Sequence, residues 1–298
     1  MNLKGYVGYL YILPWILGFF IFTVIPLGVA FYIGLTEWDT FNSPKFVGLQ
    51  NYTALLKDQD FLKALWVTVK FAIISIPLGI ATSFLIAMMV NVKIKGAHFF
   101  RTALYLPAVV SGVSISLLWK WILDKDFGLI NLILSKIGLG PFGWLTNPDL
   151  VLPSYLMIGI WGAGGGMLTY LAGLQEVPDH LYEAAEIDGA NLFQRFKAVT
   201  LPMLTPVIFY NLVIGIIGAL RKFSDAYVIG GAENEGRFYM VYLYENAFKF
   251  FKMGYATAMG WILFIIILIL TLLVFKTSSA WVFYAGDTNE NEKVRKGK

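Results

Sequence analysis

The sequence predicts an all-α integral membrane protein of six transmembrane helices with both termini cytoplasmic. Three observations carry that expectation. Of the 298 residues, 58% are hydrophobic and 14% charged, with a mean hydropathy of +0.68; a soluble domain is about half apolar and about a quarter charged. The apolar residues fall in runs of about 20, the length of a membrane helix, and not in alternating stretches of about ten, the length of a barrel strand. A short connection at 91–101 carries Lys93, Lys95 and Arg101 and no acid, the composition retained on the cytoplasmic side. Composition also sets exclusions. There is no Cys, so disulfides and Cys-ligated metals are ruled out, and the two His residues, His98 and His180, lie far apart. No catalytic set and no metal set is expected. A net charge of +4 without a basic, aromatic-interleaved cluster gives no nucleic-acid partner. Membrane lipid is the expected surround, and the nine Trp and sixteen Tyr suit its interfacial belts.

Each element follows in order. The first apolar run, 10–35, is longer than the apolar core of a signal peptide and no small-residue cleavage site follows it, so a retained span is expected. Pro14 and Pro26 can kink it. A mixed loop, 36–60, turns at Asn42, Ser43 and Pro44. Span two, 61–90, contains Pro77 and Gly79; span three, 102–123, places Trp119 and Trp121 toward its outer end. The outer segment 124–149 holds a short amphipathic piece and turn signals at Gly140-Pro141 and Asn147-Pro148. Span four, 150–175, contains Gly162, Gly164, Gly165 and Gly166, which predict a close-packing face. Span five is 206–226, followed by an outer segment at 227–254, and span six is 255–275. The tail, 276–298, ends in Lys293, Arg295, Lys296 and Lys298. The excess of Lys and Arg on the inner side is slight and rests on the 91–101 connection and this tail. One domain, 1–298, is expected, with no internal repeat.

Between spans four and five lies a polar, acidic segment, 176–202, cytoplasmic by alternation. Glu176, Asp179, Glu183, Glu186 and Asp188 face only Arg195 and Lys197. Asp179 or His180 can cap a helix beginning near Leu181, with Leu181, Ala184, Ala185 and Ile187 as its apolar face. Asp188-Gly189 breaks that helix, because glycine takes a left-handed bend without steric cost. A second helix, 192–199, carries Phe193, Phe196 and Val199 at helical spacing, and Pro202 and Pro206 punctuate the approach to span five.

Glu183-Ala184-Ala185, then Gly189, then Val199, then Leu201-Pro202 resembles the "EAA" loop of ABC-importer permeases. That pattern is Glu-Ala-Ala, three residues, Gly, nine residues, an aliphatic residue (usually Ile), one residue, Leu-Pro. Every spacing fits and Val199 for Ile is the single departure. The wording around it, LAGLQEVPDHLYEAAEIDGAN, together with FFRTALYLPAVVSG at 99–112 and FGLINLIL, is similar to the carbohydrate branch. The likeness covers 47–275 and looks like a maltose-type permease without a large inserted outer domain. The resemblance implies an ABC type I importer permease (MetI/MalF-like) fold and a set of partners. These are a second homologous permease (a heterodimer), two ATP-binding subunits that hold ATP and Mg, an extracytoplasmic solute-binding protein and an oligosaccharide substrate. It places the chain in the bacterial cytoplasmic membrane. It further implies that Glu183, Ala184, Ala185, Asp188, Gly189, Leu201 and Pro202 couple to the ATPase, with Glu183 as an ion-pair anchor. The chain has no GxxxxGK[ST] of its own, so ATP falls to those partners.

A substrate path is expected at the end of span five, where Arg221, Lys222 and Asp225 lie near Tyr227. Intramembrane charges are functional candidates, and adjacent cations can pair with the carboxylate of a uronate-type saccharide. Lys70 in span two could assist. The same side chains could equally snorkel to the interface, and Tyr227 and Phe223 could be lipid-belt aromatics as readily as sugar platforms. Two other functions stand against a transport subunit. An intramembrane enzyme would need convergent polar residues, such as a Ser with Lys or His or paired acids within spans, and Ser75, Ser83 and Ser111 have no evident His or acid partner in their own spans. A secondary transporter would show paired repeats with broken helices.

Overall fold

A computed structural model describes residues 3–92, 96–232 and 235–283. Lys93, Lys95 and the basic tail, on which the expected orientation rests, lie outside the described residues. The chain begins with α1 (Leu3–Phe19), a π-helical turn (Phe20–Val24) and α2 (Ile25–Gly34) in one continuous helix. A two-stranded hairpin, β1 (Thr36–Glu37) and β2 (Lys45–Phe46), precedes α3 (Gln50–Leu55) and the long α4 (Gln59–Val90). Then come α5 (Ala97–Val109), α6 (Gly112–Ile122), α7 (Leu129–Ser135), α8 (Pro148–Trp161) and α9 (Gly164–Glu176). The polar segment holds α10 (Asp179–Ile187), α11 (Leu192–Arg195), a second π-helical turn (Phe196–Thr200) and α12 (Leu201–Met203). The remainder is α13 (Thr205–Leu220), α14 (Ser224–Ile229), α15 (Tyr239–Tyr244), a third π-helical turn (Glu245–Lys249) and α16 (Met253–Ser278). Among the described residues, four helical stretches are long and apolar enough to cross a membrane, and two bent pairs bring the number to six if each crosses once.

Two of the widened turns have a common cause. Ile25 N–H donates to Phe20 O just before Pro26, and Leu201 N–H donates to Phe196 O just before Pro202. Proline lacks the donor for the i−4 carbonyl and its ring collides with it, so the preceding turn opens to an i−5 bond and the helix continues.

The structure corrects several expectations. Span three is not one helix: α5 and α6 meet at 96°, with Val110 and Ser111 extended (ψ 145° and 131°). Span four bends by 46° between α8 and α9. The α-helix of span five ends at Leu220, six residues before the expected 226, and restarts at Ser224. The outer segment 227–254 carries α15 and the third π-helical turn. Neither Asp179 nor His180 caps α10, whose N-cap is Pro178, without a side-chain bond.

Two compact units share the chain, 1–62 with 240–266, and 63–239 with 267–298. In the first, the chain just after α2 meets the start of α16 backbone to backbone: a Cβ on Gly254 would fall 1.8 Å from Thr36 O of β1, and Met253 N–H donates to Trp38 O at 2.9 Å. Asn51 Nδ2 ties the hairpin down by donating to Gly34 O and Thr36 O at 3.0 and 2.9 Å. Asp58 is the polar centre. Its Oδ1 accepts from the N–H groups of Asp60 and Phe61 in the first turn of α4, and its Oδ2 accepts from the phenols of Tyr242 (2.6 Å) and Tyr255. Burial alone would raise its pKa, but the two phenols and two amides outweigh burial and hold the carboxyl below its ordinary value. Burial and the Asp58 charge together push Tyr242 up to about 12.

In the second unit the glycines of span four do pack closely. A Cβ on Gly164 would sit 1.8 Å from Leu104 O of α5, and one on Gly166 would sit 2.7 Å from Ser83 Oγ of α4. Ser83 Oγ donates to Ala163 O at the bend between α8 and α9 (2.8 Å). Phe84, Ala87, Val90, Met167, Tyr170, Leu171, Leu174 and Leu204 form a buried cluster between α4, α9 and the start of α13. Arg101 donates from Nε and Nη2 to Val90 O, closing the C-terminus of α4. Near α7, buried Asn131 accepts from Phe142 N–H and Trp144 Nε1 and donates to three carbonyls, organising the 124–149 segment.

Candidate functional site

The polar segment is built as two short helices around a left-handed turn. Gly189 has φ +76°, and Gly189 N–H donates to Glu186 O while Ala190 N–H donates to Ala185 O. That pair of bonds is the Schellman termination, which needs glycine at this position because a Cβ strains a positive φ. Asp188 N–H donates to Ala184 O. The second helix starts with a capping box that sequence reasoning missed. Asn191 Oδ1 accepts from Gln194 N–H and Gln194 Oε1 accepts from Asn191 N–H, the N-x-x-Q spacing being its signal.

This segment has an inward and an outward face. Phe196 rests on the buried cluster, its ring 5.9 Å from Phe84; Thr200 is buried and hydrogen-bonded to Tyr182 OH at 3.0 Å; Leu204 is fully buried. Ile187, Leu192 and Phe193, in contrast, are 86%, 82% and 72% exposed. The expected apolar face of α10 is therefore not a core face, for none of its residues is buried. Arg195 is committed internally, its Nη1 donating to Glu186 Oε2 at 3.0 Å and its Nε to Ala190 O. Glu183 is exposed, as is Asp188 beside the turn. Pro202 follows the second π-helical turn, and Leu201 N–H makes its i−5 bond.

The second candidate region is a cavity of about 510 Å³ in the second unit, faced by α4, α8, α9 and α13. Its wall combines glycines with Ser75, Ser83, Asn211 and Tyr170, and Lys222 stands at the end of α13. Lys222 lies within the rings of Phe71, Tyr155 and Phe238, 4.6, 5.1 and 5.8 Å from their centroids. Asp225, on the first turn of α14, forms a salt bridge with it and also accepts from Ala226 N–H at 2.9 Å. Lys222 and Asp225 are thus brought together, at an i, i+3 spacing that the sequence displayed. Arg221 and Lys70 are exposed and do not line the cavity; Tyr227 is half exposed and stacks on Phe223 with centroids 5.5 Å apart. Asn211, in the middle of α13, was the polar signal in span five that sequence reasoning passed over. Such walls can offer hydroxyl and amide hydrogen bonds to a polar solute, with one cation at one end.

Over residues 75–282 the chain matches the binding-protein-dependent transport system inner membrane component, and it belongs to that family. It is a multi-pass membrane permease subunit, not an enzyme. It is 40% identical over 284 residues to YesP of Bacillus subtilis (strain 168), a probable ABC transporter permease, covering 93% of this chain and 92% of that one. It is 35% identical over 279 residues to AraP of the same organism, the arabinooligosaccharides transport system permease, with 92% and 88% covered. Among solved structures it resembles a bacterial ABC transporter involved in import of the acidic polysaccharide alginate. The TM-score is 0.82 at 27% identity, over 93% of this chain and 96% of that one. A second structure, that of the alginate transporter in complex with an alginate pentasaccharide-bound periplasmic protein, gives 0.81 at 28% identity, with 92% and 94% covered.

Proposed function

We propose that this chain is half of the translocation path of an ATP-driven oligosaccharide importer in the bacterial cytoplasmic membrane. The carrying observation is the segment 176–202. An exposed apolar trio and exposed Glu183 flank a glycine turn whose inward face is already satisfied, which is the build of a plug for another protein. That plug docks on a cytoplasmic ATPase, one of two that bind ATP and Mg, and the segment, with both termini, faces the cytoplasm. A second, distinct permease completes the path. The exposure of most of the 11–34 helix, none of whose most apolar window is buried within this chain, supports such a companion.

An extracytoplasmic binding protein delivers the substrate. Carbohydrate is supported by the arabinooligosaccharide and alginate relatives and by the hydroxyl and amide wall of the cavity. An acidic, uronate-type oligosaccharide is favoured by the alginate likeness and by Lys222, the one charged side chain among the described residues lining that cavity. The test is purification of the complex from membranes in mild detergent. Two ATPase subunits and a second permease should co-purify, and ATP hydrolysis should rise with binding protein loaded with a uronic oligosaccharide and less with its neutral counterpart. Purification of the chain without an ATPase would refute the coupling; equal stimulation by both sugars would refute the acidic preference.

A further inference from the structure

The geometry points to Asp225 as a built-in competitor of the substrate: it holds Lys222 when the cavity is empty and yields it to a saccharide carboxylate when the cavity fills. The inference rests on the acidic-substrate reading above and deepens it. Four observations support it. Lys222 is the only charged side chain among the described residues of the cavity wall, so a carboxylate entering there has one cation to find. That ammonium is enclosed by three aromatic rings and its side chain is only 13% exposed. A cation so poorly hydrated requires an anionic partner at all times. Asp225 supplies one from the far side of a helix break, α13 ending at Leu220 and α14 beginning at Ser224.

Asp225 also has somewhere else to go. Its Oδ1 already accepts from Ala226 N–H in the first turn of α14, and its side chain is 29% exposed. Released from Lys222, the carboxylate keeps that amide and gains water, which lowers the cost of exchange. Two carboxylates cannot both hold one shielded ammonium without repelling each other, so the substrate's gain is set against Asp225's loss. Affinity in the path is thereby held down and release is assisted, since Asp225 reclaims the lysine as the saccharide leaves. A neutral sugar offers Lys222 only uncharged oxygen acceptors, which do not displace the Asp225 carboxylate, and leaves the pair closed.

The test uses the intact, detergent-solubilised complex without binding protein, and equilibrium binding of a tri-uronate and its methyl ester, which keeps the shape and removes the charge. Wild type should bind the tri-uronate more tightly than the ester. Asp225→Asn should tighten the tri-uronate about tenfold, within the range of one charge-assisted hydrogen bond, and leave the ester unchanged. Lys222→Gln should bring tri-uronate down to the ester's level. A wild type that does not distinguish the two ligands defeats the acidic reading and the exchange with it. A wild type that does, with Asp225→Asn no tighter, keeps the reading and overturns the exchange. Where Asp225→Asn does not assemble, infrared difference spectra of wild type with isotope-labelled aspartate decide. A shifted aspartate carboxylate band on adding tri-uronate, absent with the ester, is expected; no shift overturns the exchange.

Discussion

The segment proposed to couple, 176–202, and the joint between α13 and α14 both looked like charged intrusions in an apolar chain, and they are opposites. In the segment the polar and backbone groups are settled locally, by the Gly189 turn, the Asn191–Gln194 capping box and the Glu186–Arg195 pair. What it presents outward includes an apolar trio, Ile187, Leu192 and Phe193, beside exposed Glu183 and Asp188. In the joint the apolar groups are turned inward around Lys222, and the charge is answered within three residues by Asp225. A surface built to meet a protein leaves hydrophobic area exposed and hides its polar groups in hydrogen bonds. A site that waits for a polar solute keeps its charge provisionally paired.

That contrast can be broken experimentally, and the largest effect is expected at Gly189. Proline cannot adopt φ +76°, so Gly189→Pro should destroy the turn and reduce uptake by about a hundredfold or more. Membrane insertion should persist, as read by protein level in the membrane fraction. Glu183→Lys should lower ATPase co-purification in the same direction. Persistence of both uptake and co-purification in the two variants would remove the coupling assignment.

Next come the two faces of the second short helix. Phe193→Asp should weaken ATPase association by about 2 kcal/mol, the scale of a well-buried interface aromatic, with the thermal midpoint of the isolated chain unchanged. Phe196→Ala should do the reverse, lowering the midpoint by a loss of about 1–2 kcal/mol for a half-buried ring. Equal behaviour of the two variants in thermal unfolding would erase the distinction between inward and outward faces.

The smallest effect is expected at Asp58, which resembles Asp225 in being satisfied from within the chain. Its folded pKa lies below its unfolded value, near 3.9 for a free aspartate. Its stabilising contribution is therefore complete above about pH 4 and is lost as pH falls through the folded pKa. Tyr242 is shifted upward, to about 12, so its contribution is complete below about pH 10, the free-tyrosine value, and fades between there and 12. Unfolding midpoints measured in detergent across this range should fall at both ends, and Asp58→Asn should flatten the acid limb by about 1 kcal/mol.

The sequence made some of this legible for physical reasons. Uniform apolar runs leave a chain no alternative to helix in lipid, so α4 and α16 lie within three residues of the expected limits. The turn at Gly189 was legible because its requirement is one of spacing: a left-handed residue at a fixed distance from a helix and a proline. The break in span three escaped because hydropathy averages over it; Ser111-Gly112, a turn dipeptide inside an apolar run, was the available sign. Asp225 was named beside Lys222, but the ion pair between them was not inferred from their i, i+3 spacing. Which groups sit within reach of one another across α4, α8 and α13 depends on packing, and no local pattern encodes it.

One contact described above has a mechanical meaning. Helix α9 has its first residue, Gly164, pressed on the backbone of α5, and its later Gly173 leaves a Cβ no room against Val207 and Leu204. Neither contact includes a side chain on α9 that could rotate to absorb motion. A rod of 13 residues, about 20 Å long at 1.5 Å per residue, is thus clamped at two points and ends at Glu176, where the coupling segment begins. In the proposed coupling, displacement applied beyond Glu176 travels along this helix to α5, through the Val207 and Leu204 side chains that meet Gly173 and the backbone that meets Gly164.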